Sequence, residues 1–310
     1  MATTQISAGR THNAAVAPSL NDYDERLRRS PDWPIARGAP MLRLRRAAFS
    51  KPVRRTAFGF IVFFILWYLA TAVFQLPRFN FIPNPLYLFE QWTSREPQYG
   101  ISIFTPDYYE HIVTSVLRVY VAFFLSIALG APLGIIIGWS KLGRNLFFPL
   151  VELLRPIPPL AWVPIAVLIF AGTETPVIFV TMLASFFATV LNTYLGVRSI
   201  DENYFRAASC LGYSKRAVLF RVVVPGALPF IFTGMQIAMG VAWFSLVGGE
   251  LIAGRAGLGY MIFDGYTQVA IPNIFIGMIT LGVLGWLSSA MIRAVGQSLM
   301  RWQQKSRGEA

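Results

Sequence analysis

The stretch "AFGFIVFFILWYLATAVFQL" (57–76) runs for 20 residues without a charged side chain, and that length decides the class of the protein. As a helix it crosses a hydrocarbon core of roughly 30 Å. Only 14% of the 310 residues are charged and 55% are hydrophobic, whereas an average soluble chain has about 25% charged residues to cover its surface. Five more apolar stretches follow, near 110–138, 146–170, 175–197, 227–253 and 271–297. The expected fold is an all-α membrane protein with about six transmembrane helices over 57–300. A polar tail over 1–56 and a short tail over 301–310 flank it.

The formal net charge of +12 suggests nucleic acid until the charges are placed. With the N-terminus in the cytoplasm, the inner segments hold 22 Lys and Arg residues, and the outer ones hold only Arg78, Arg95 and Arg255. That asymmetry is a topology signal. It places both termini in the cytoplasm of a multi-pass membrane protein, with lipid rather than nucleic acid as the partner of the basic residues. Residues 1 to about 50 are Arg-rich and broken by Pro18, Pro31, Pro34 and Pro40. They read as a tail disordered in large part and held near anionic lipid, with "MLRLRRAAF" (41–49) as a short amphipathic helix on the membrane. The first 56 residues lack the apolar core of a secretory signal, so span one is expected to direct insertion. A single cysteine, Cys210, rules out an internal disulfide framework. With His12 and His111 it gives no metal-ligand spacing, so no metal is expected.

Between spans one and two the chain is aromatic and proline-bearing. Trp92, Tyr99, Tyr108 and Tyr109 suit an outer interfacial belt, and a short helix is expected to start near Pro85. Span two contains "GAPLGIIIG" (130–138), which puts Gly130, Gly134 and Gly138 on one face for close helix approach. Its Arg118 either attracts an anion or snorkels to headgroups. Span three, "FFPLVELLRPIPPLAWVPIAVLIF" (147–170), has five prolines, each of which removes a backbone donor. Non-helical backbone at membrane depth persists only inside protein or beside a water-filled cavity. The stretch with Pro156, Pro158, Pro159 and Trp162 is therefore expected to line or gate a pathway. Glu152 and Arg155 either neutralise each other at a spacing of three or face that pathway. Glu250 either pairs with Arg255 at the membrane surface or faces the pathway.

The stretch "FRAASCLGYSKRAVLFRVVVPGALP" (205–229) carries four basic residues and no acid. Just before it, "SIDE" (199–202) reads as a capping box, Ser199 accepting and Glu202 reaching back. A helix to Leu211, a stop at Gly212, a second helix capped by Ser214 and an end at Pro225 give a cytoplasmic helix–turn–helix over about 199–221.

In register, Ala207, Ala208, Gly212, Val222, Val224 and Pro225 resemble a motif of ABC importer permeases: Glu-Ala-Ala, three residues, Gly, nine residues, then Ile-x-Leu-Pro. Arg206 stands where the family has glutamate, and valines replace Ile and Leu. "FIPNPLYLFEQW" (81–92), "LLRPIPPLAWVPIAVLIF" (153–170) and "GLGYMIFDGY" (257–266) extend the likeness to the nitrate, sulfonate, taurine and bicarbonate permeases over about 58–300. The resemblance implies a type I importer permease fold and a coupling segment that fits a groove on a cytoplasmic ATPase. Arg206, Ala207, Ala208, Gly212, Lys215, Arg216 and Pro225 are its candidate contacts. It further implies two ATPase copies, an external solute-binding protein, a permease homodimer with the pathway between copies, and a small oxyanion or sulfonate as cargo. ATP and Mg would be used by the ATPase. This chain, with no G-x-x-x-x-G-K-[ST], is expected to bind no cofactor and to be no enzyme. A carrier or channel working without an ATPase is the alternative, and it leaves the basic helix–turn–helix unexplained.

Overall fold

The computed structural model describes residues 51–74 and 81–300. The expectations for the N-terminal tail up to residue 50, for the helix over 41–49 and for the tail over 301–310 lie outside these residues. The chain falls into two units, Met1–Ile65 and Leu66–Ala310. Helix α1, Lys51–Tyr68, continues through a π-turn at Leu69–Val73. Its stretch Arg55–Val73 is long and apolar enough to cross a membrane, as the opening stretch predicts.

Within the second unit every described element is helical: α2 (Pro85–Thr93), α3 (Pro106–Trp139), α4 (Lys141–Leu154), a 3-10 turn (Pro159–Trp162), α5 (Val163–Ile169), α6 (Glu174–Arg198), α7 (Glu202–Cys210), α8 (Lys215–Val218), a π-turn (Leu219–Val223), α9 (Val224–Ala253), α10 (Leu258–Thr267) and α11 (Ile271–Leu299). The short helix α2 begins at Pro85 because Asn84 caps it, accepting from Tyr87 N at 2.7 Å, with proline at the first position where no donor is needed.

The centre is a layer of three long helices, with α6 packed between α3 and α9. Small residues let the backbones meet. A Cβ on Gly134 would stand 2.6 Å from both Thr193 Cβ and Val190 O, and one on Gly138 would stand 2.6 Å from Val197 Cβ. The glycine stripe is thus the seat of α6, as its spacing predicts. On the far side of α6, Gly234 of α9 meets Asn192, and Gly196 meets Phe230. Val119 and Phe123 of α3, Met239, Trp243 and Leu246 of α9, Leu258 and Met261 of α10 and Ile276 of α11 fill one core. Leu117, Phe124, Phe244 and Trp286 are 61–70% exposed, the exposure of side chains that face lipid. Antiparallel α6 and α9 define two ends. One end holds α7 and α8. The other holds the starts of α3, α6 and α11, the end of α9, and α10.

Candidate functional site

At the first end, Ser199 is not a capping residue for α7. Its N–H closes α6 on Leu195 O and its hydroxyl donates to Gly196 O at 2.9 Å. Asp201 caps α7 instead, accepting from Asn203 N at 2.8 Å, and Glu202 pairs with Arg206 at 3.2 Å. The expected capping box fails because the end of α6 already uses the serine. Gly212 behaves as expected: at φ +75° it occupies the left-handed position that closes α7, with Tyr213 N donating to Ala208 O and Gly212 N to Ser209 O, both at 3.0 Å. Ser214 caps α8 by accepting from Ala217 N.

Pro225 does not end the second helix. The helix runs unbroken over Lys215–Ala253, because the π-turn before Pro225 widens the ladder where its missing donor falls. Those 39 residues make a rod of about 58 Å at 1.5 Å per residue, longer than a bilayer core of roughly 30 Å is thick.

Arg206, Ala207, Lys215 and Arg216 are exposed, and Leu211 at the apex is 76% exposed. The two alanines part company here. Ala208 is buried among Val197, Val218, Val223, Ala227 and Ile231, so its small size serves the fold of the segment rather than contact with another protein. Pro225, Arg221, Asp201 and Tyr204 line a cleft of about 520 Å3 beside α7, and the Arg221 guanidinium lies 5.6 Å over the Tyr213 ring.

Span three is broken, as its prolines predict. Helix α4 and the pair formed by the 3-10 turn and α5 meet at 92°. Pro156 and Pro158 are exposed at the bend, while Pro159 and Trp162 in the 3-10 turn are partly buried. The Trp162 indole N–H is buried with no acceptor. Leu160 occupies the space that a Cβ on Gly248 of α9 would fill, which keys the bend to the long rod. Glu152 and Arg155 form an ion pair at 3.5 Å, each nearly half exposed.

At the other end the structure overturns two expectations. Arg118 reaches neither lipid nor a free anion: it is 2% exposed and holds two carboxylates. Its Nε donates to Glu174 Oε2 at 2.6 Å and its Nη2 to Oε1 at 2.5 Å. Its Nη1 donates to Glu250 Oε1 at 2.9 Å and to Ala256 O at 2.6 Å. Glu250 pairs with Arg118, not Arg255, and does not face an open pathway. It is fully buried and also accepts from Ser115 Oγ at 2.8 Å and Gly259 N at 2.8 Å. A charge buried this deeply needs both a countercharge and hydrogen bonds, and all of them converge on this residue of α9 from α3 and α10. Gly257, at φ +117°, passes so close that a Cβ there would overlap the Glu250 carboxylate. Glu174 goes unremarked in the sequence because 56 residues separate it from Arg118 and no periodicity links them.

The chain has relatives with which this geometry can be compared. Residues 130–305 match the family described as binding-protein-dependent transport system inner membrane component. A probable ABC transporter permease protein of Brucella abortus (strain 2308) is 39% identical over 63% of this chain and 78% of its own length. The taurine transport system permease protein of Escherichia coli K12 is 34% identical over 78% of this chain and 86% of its own. The bicarbonate transport system permease protein of Synechococcus elongatus is 32% identical over 78% and 88%. Among solved structures, one of the inward-facing MetNI methionine ABC transporter superposes with a TM-score of 0.51 at 18% identity, covering 62% of this chain and 93% of the other. That likeness concerns the fold alone. The chain belongs to the family of binding-protein-dependent transport system inner membrane components.

Proposed function

We propose that this inner-membrane chain is the permease subunit of an ABC importer, and that the α7–Gly212–α8 segment is where a cytoplasmic ATPase drives it. The observation that carries the reading is the folded end of a 39-residue rod longer than a bilayer core is thick, where α7, the Gly212 turn and α8 leave basic residues and Leu211 exposed. A lipid-embedded protein has no structural need for such a segment. Ala208 and its neighbours join α7 rigidly to the end of α6 and the start of the rod. A push on α7 therefore moves α9 as a body, and with it the Gly248–Leu160 contact at the broken span. Rigid-body rocking of this kind exchanges inward for outward access. ATP and Mg are held by two ATPase copies and none by this chain. The permease works as a homodimer with the exposed break at Pro156 and Pro158 toward the pathway, both termini lie in the cytoplasm, and a solute-binding protein delivers cargo from outside. Relatives that handle taurine and bicarbonate support a small oxyanion or sulfonate as cargo.

Purification of the tagged chain from its native membrane tests this. An ATPase subunit is expected in stoichiometric amount, lost on Gly212→Asp while the variant still inserts in the membrane. Unchanged association and transport in that variant would refute the coupling role. For the cargo, radiolabelled taurine uptake is expected to be competed by nitrate or an alkanesulfonate, and no competition among such anions would refute the substrate class.

A further inference from the structure

The turn that joins α10 to α11 has the hydrogen bonds of a helix-closing glycine motif but no glycine. Ala270 N donates to Gly265 O at 2.8 Å and Val269 N to Tyr266 O at 3.3 Å, the two bonds that close a helix around a left-handed residue. That residue is Val269, at φ +59°, the one non-glycine residue with positive φ among the described residues. A β-branched side chain is the least suited to this conformation, and glycine or asparagine would close the helix without strain. The strain does nothing for the interior, since the Val269 side chain is 65% exposed. Tyr266, one turn back, is 69% exposed. Strain held in place where it serves no internal packing points to a use for the side chain outside the fold.

The position of the turn narrows what that use is. It lies at the end of the bundle opposite the α7–α8 segment. Thr267 and Gln268 flank it exposed, and Gln268 Nε2 donates to Asp264 at 2.7 Å. Burial of this polar rim in hydrocarbon would leave amide and carbonyl groups without partners, so lipid is a poor occupant. An exposed apolar knob inside a polar rim has the make-up of a protein contact. The family's transport depends on a binding protein. On the reading above, this end faces the side from which that protein arrives.

We propose that Val269, with Tyr266 beside it, is a contact point for the external solute-binding protein, an apolar knob that enters an apolar depression on that partner. The proposal rests on the importer reading.

The test uses the complete transporter in nanodiscs and a purified solute-binding protein selected because it stimulates ATP hydrolysis by the wild-type complex. Val269→Asn removes both the strain and the knob. A rise in melting temperature of roughly 2–4 °C is expected. The apparent affinity for the binding protein is expected to fall about five- to tenfold, as loss of one buried aliphatic side chain implies. Val269→Ile keeps the β-branched apolar side chain and is expected to retain wild-type affinity. A Val269→Asn complex that melts higher yet binds as tightly as wild type would overturn the proposal, since the valine would then be merely tolerated. A variant that instead alters permease dimerisation would overturn it by assigning the knob to contact between copies. Failure of any binding protein to stimulate the wild-type complex would count against the importer reading itself and is distinguishable from both.

Discussion

Replacement of Glu250 by alanine is expected to weaken the end of the bundle opposite α7 and α8 more than the same change at Glu174, although both carboxylates hold Arg118. Glu250 is fully buried, so its removal leaves the Gly259 N–H and the Ser115 hydroxyl without their acceptor and half-empties the Arg118 Nη1 site. Breaking a buried charge pair from one side costs about 3–5 kcal/mol. The Glu174 side chain is 59% exposed, so water follows it out and screening already discounts the pair, leaving a cost of about 1 kcal/mol. The gap is therefore about 2 kcal/mol or more. It is read as the difference in unfolding midpoint between the two variants in nanodiscs, with Glu174→Ala close to wild type. Arg118→Met/Glu250→Met, which replaces the pair by apolar volume, is expected to lose less than the two single changes added together. Equal midpoints for Glu174→Ala and Glu250→Ala, or additivity in the double variant, would show that burial is not what sets the cost.

Other outcomes follow from the same packing. Gly134→Ala forces α3 off α6 and is expected to destabilise by about 1–3 kcal/mol, while Gly240→Ala, with nothing within 4 Å, should be neutral or stabilising by about 0.5–1 kcal/mol; melting temperatures of the two decide. Cys210, exposed beside the Leu211 apex, should react with a maleimide in the isolated permease and be protected in the ATPase complex. Equal labelling in both would place the ATPase elsewhere. Ala208→Asp puts a carboxylate into the cluster around Val218 and Ile231 and should lower the yield of folded protein, whereas Ala207→Asp, on the exposed side, should fold normally and weaken ATPase association.

The sequence by itself determined the membrane class, the number of apolar stretches, a glycine face on α3 for close helix approach, the break in span three and the turn at Gly212. Each of these is written in local physics: run length against bilayer thickness, spacing of small residues along one face, prolines that lack a donor, a position that needs positive φ. The tertiary structure decided what involves groups distant in the chain. Ser199 reads as a cap until α6 claims it, Pro225 reads as a stop until the π-turn carries the helix past it, and Ala208 reads as a contact residue until the start of the rod covers it. Arg118 reads as a charge for an anion or for headgroups, Glu250 as a partner of Arg255 or a pathway residue, and Glu174 draws no reading at all. They become one cluster, Arg118 and Glu250 buried and Glu174 at its exposed rim, only when residues 56 and 132 positions apart are packed side by side. A buried charge takes its partner from whatever the fold brings within hydrogen-bonding distance, and no local pattern records that distance.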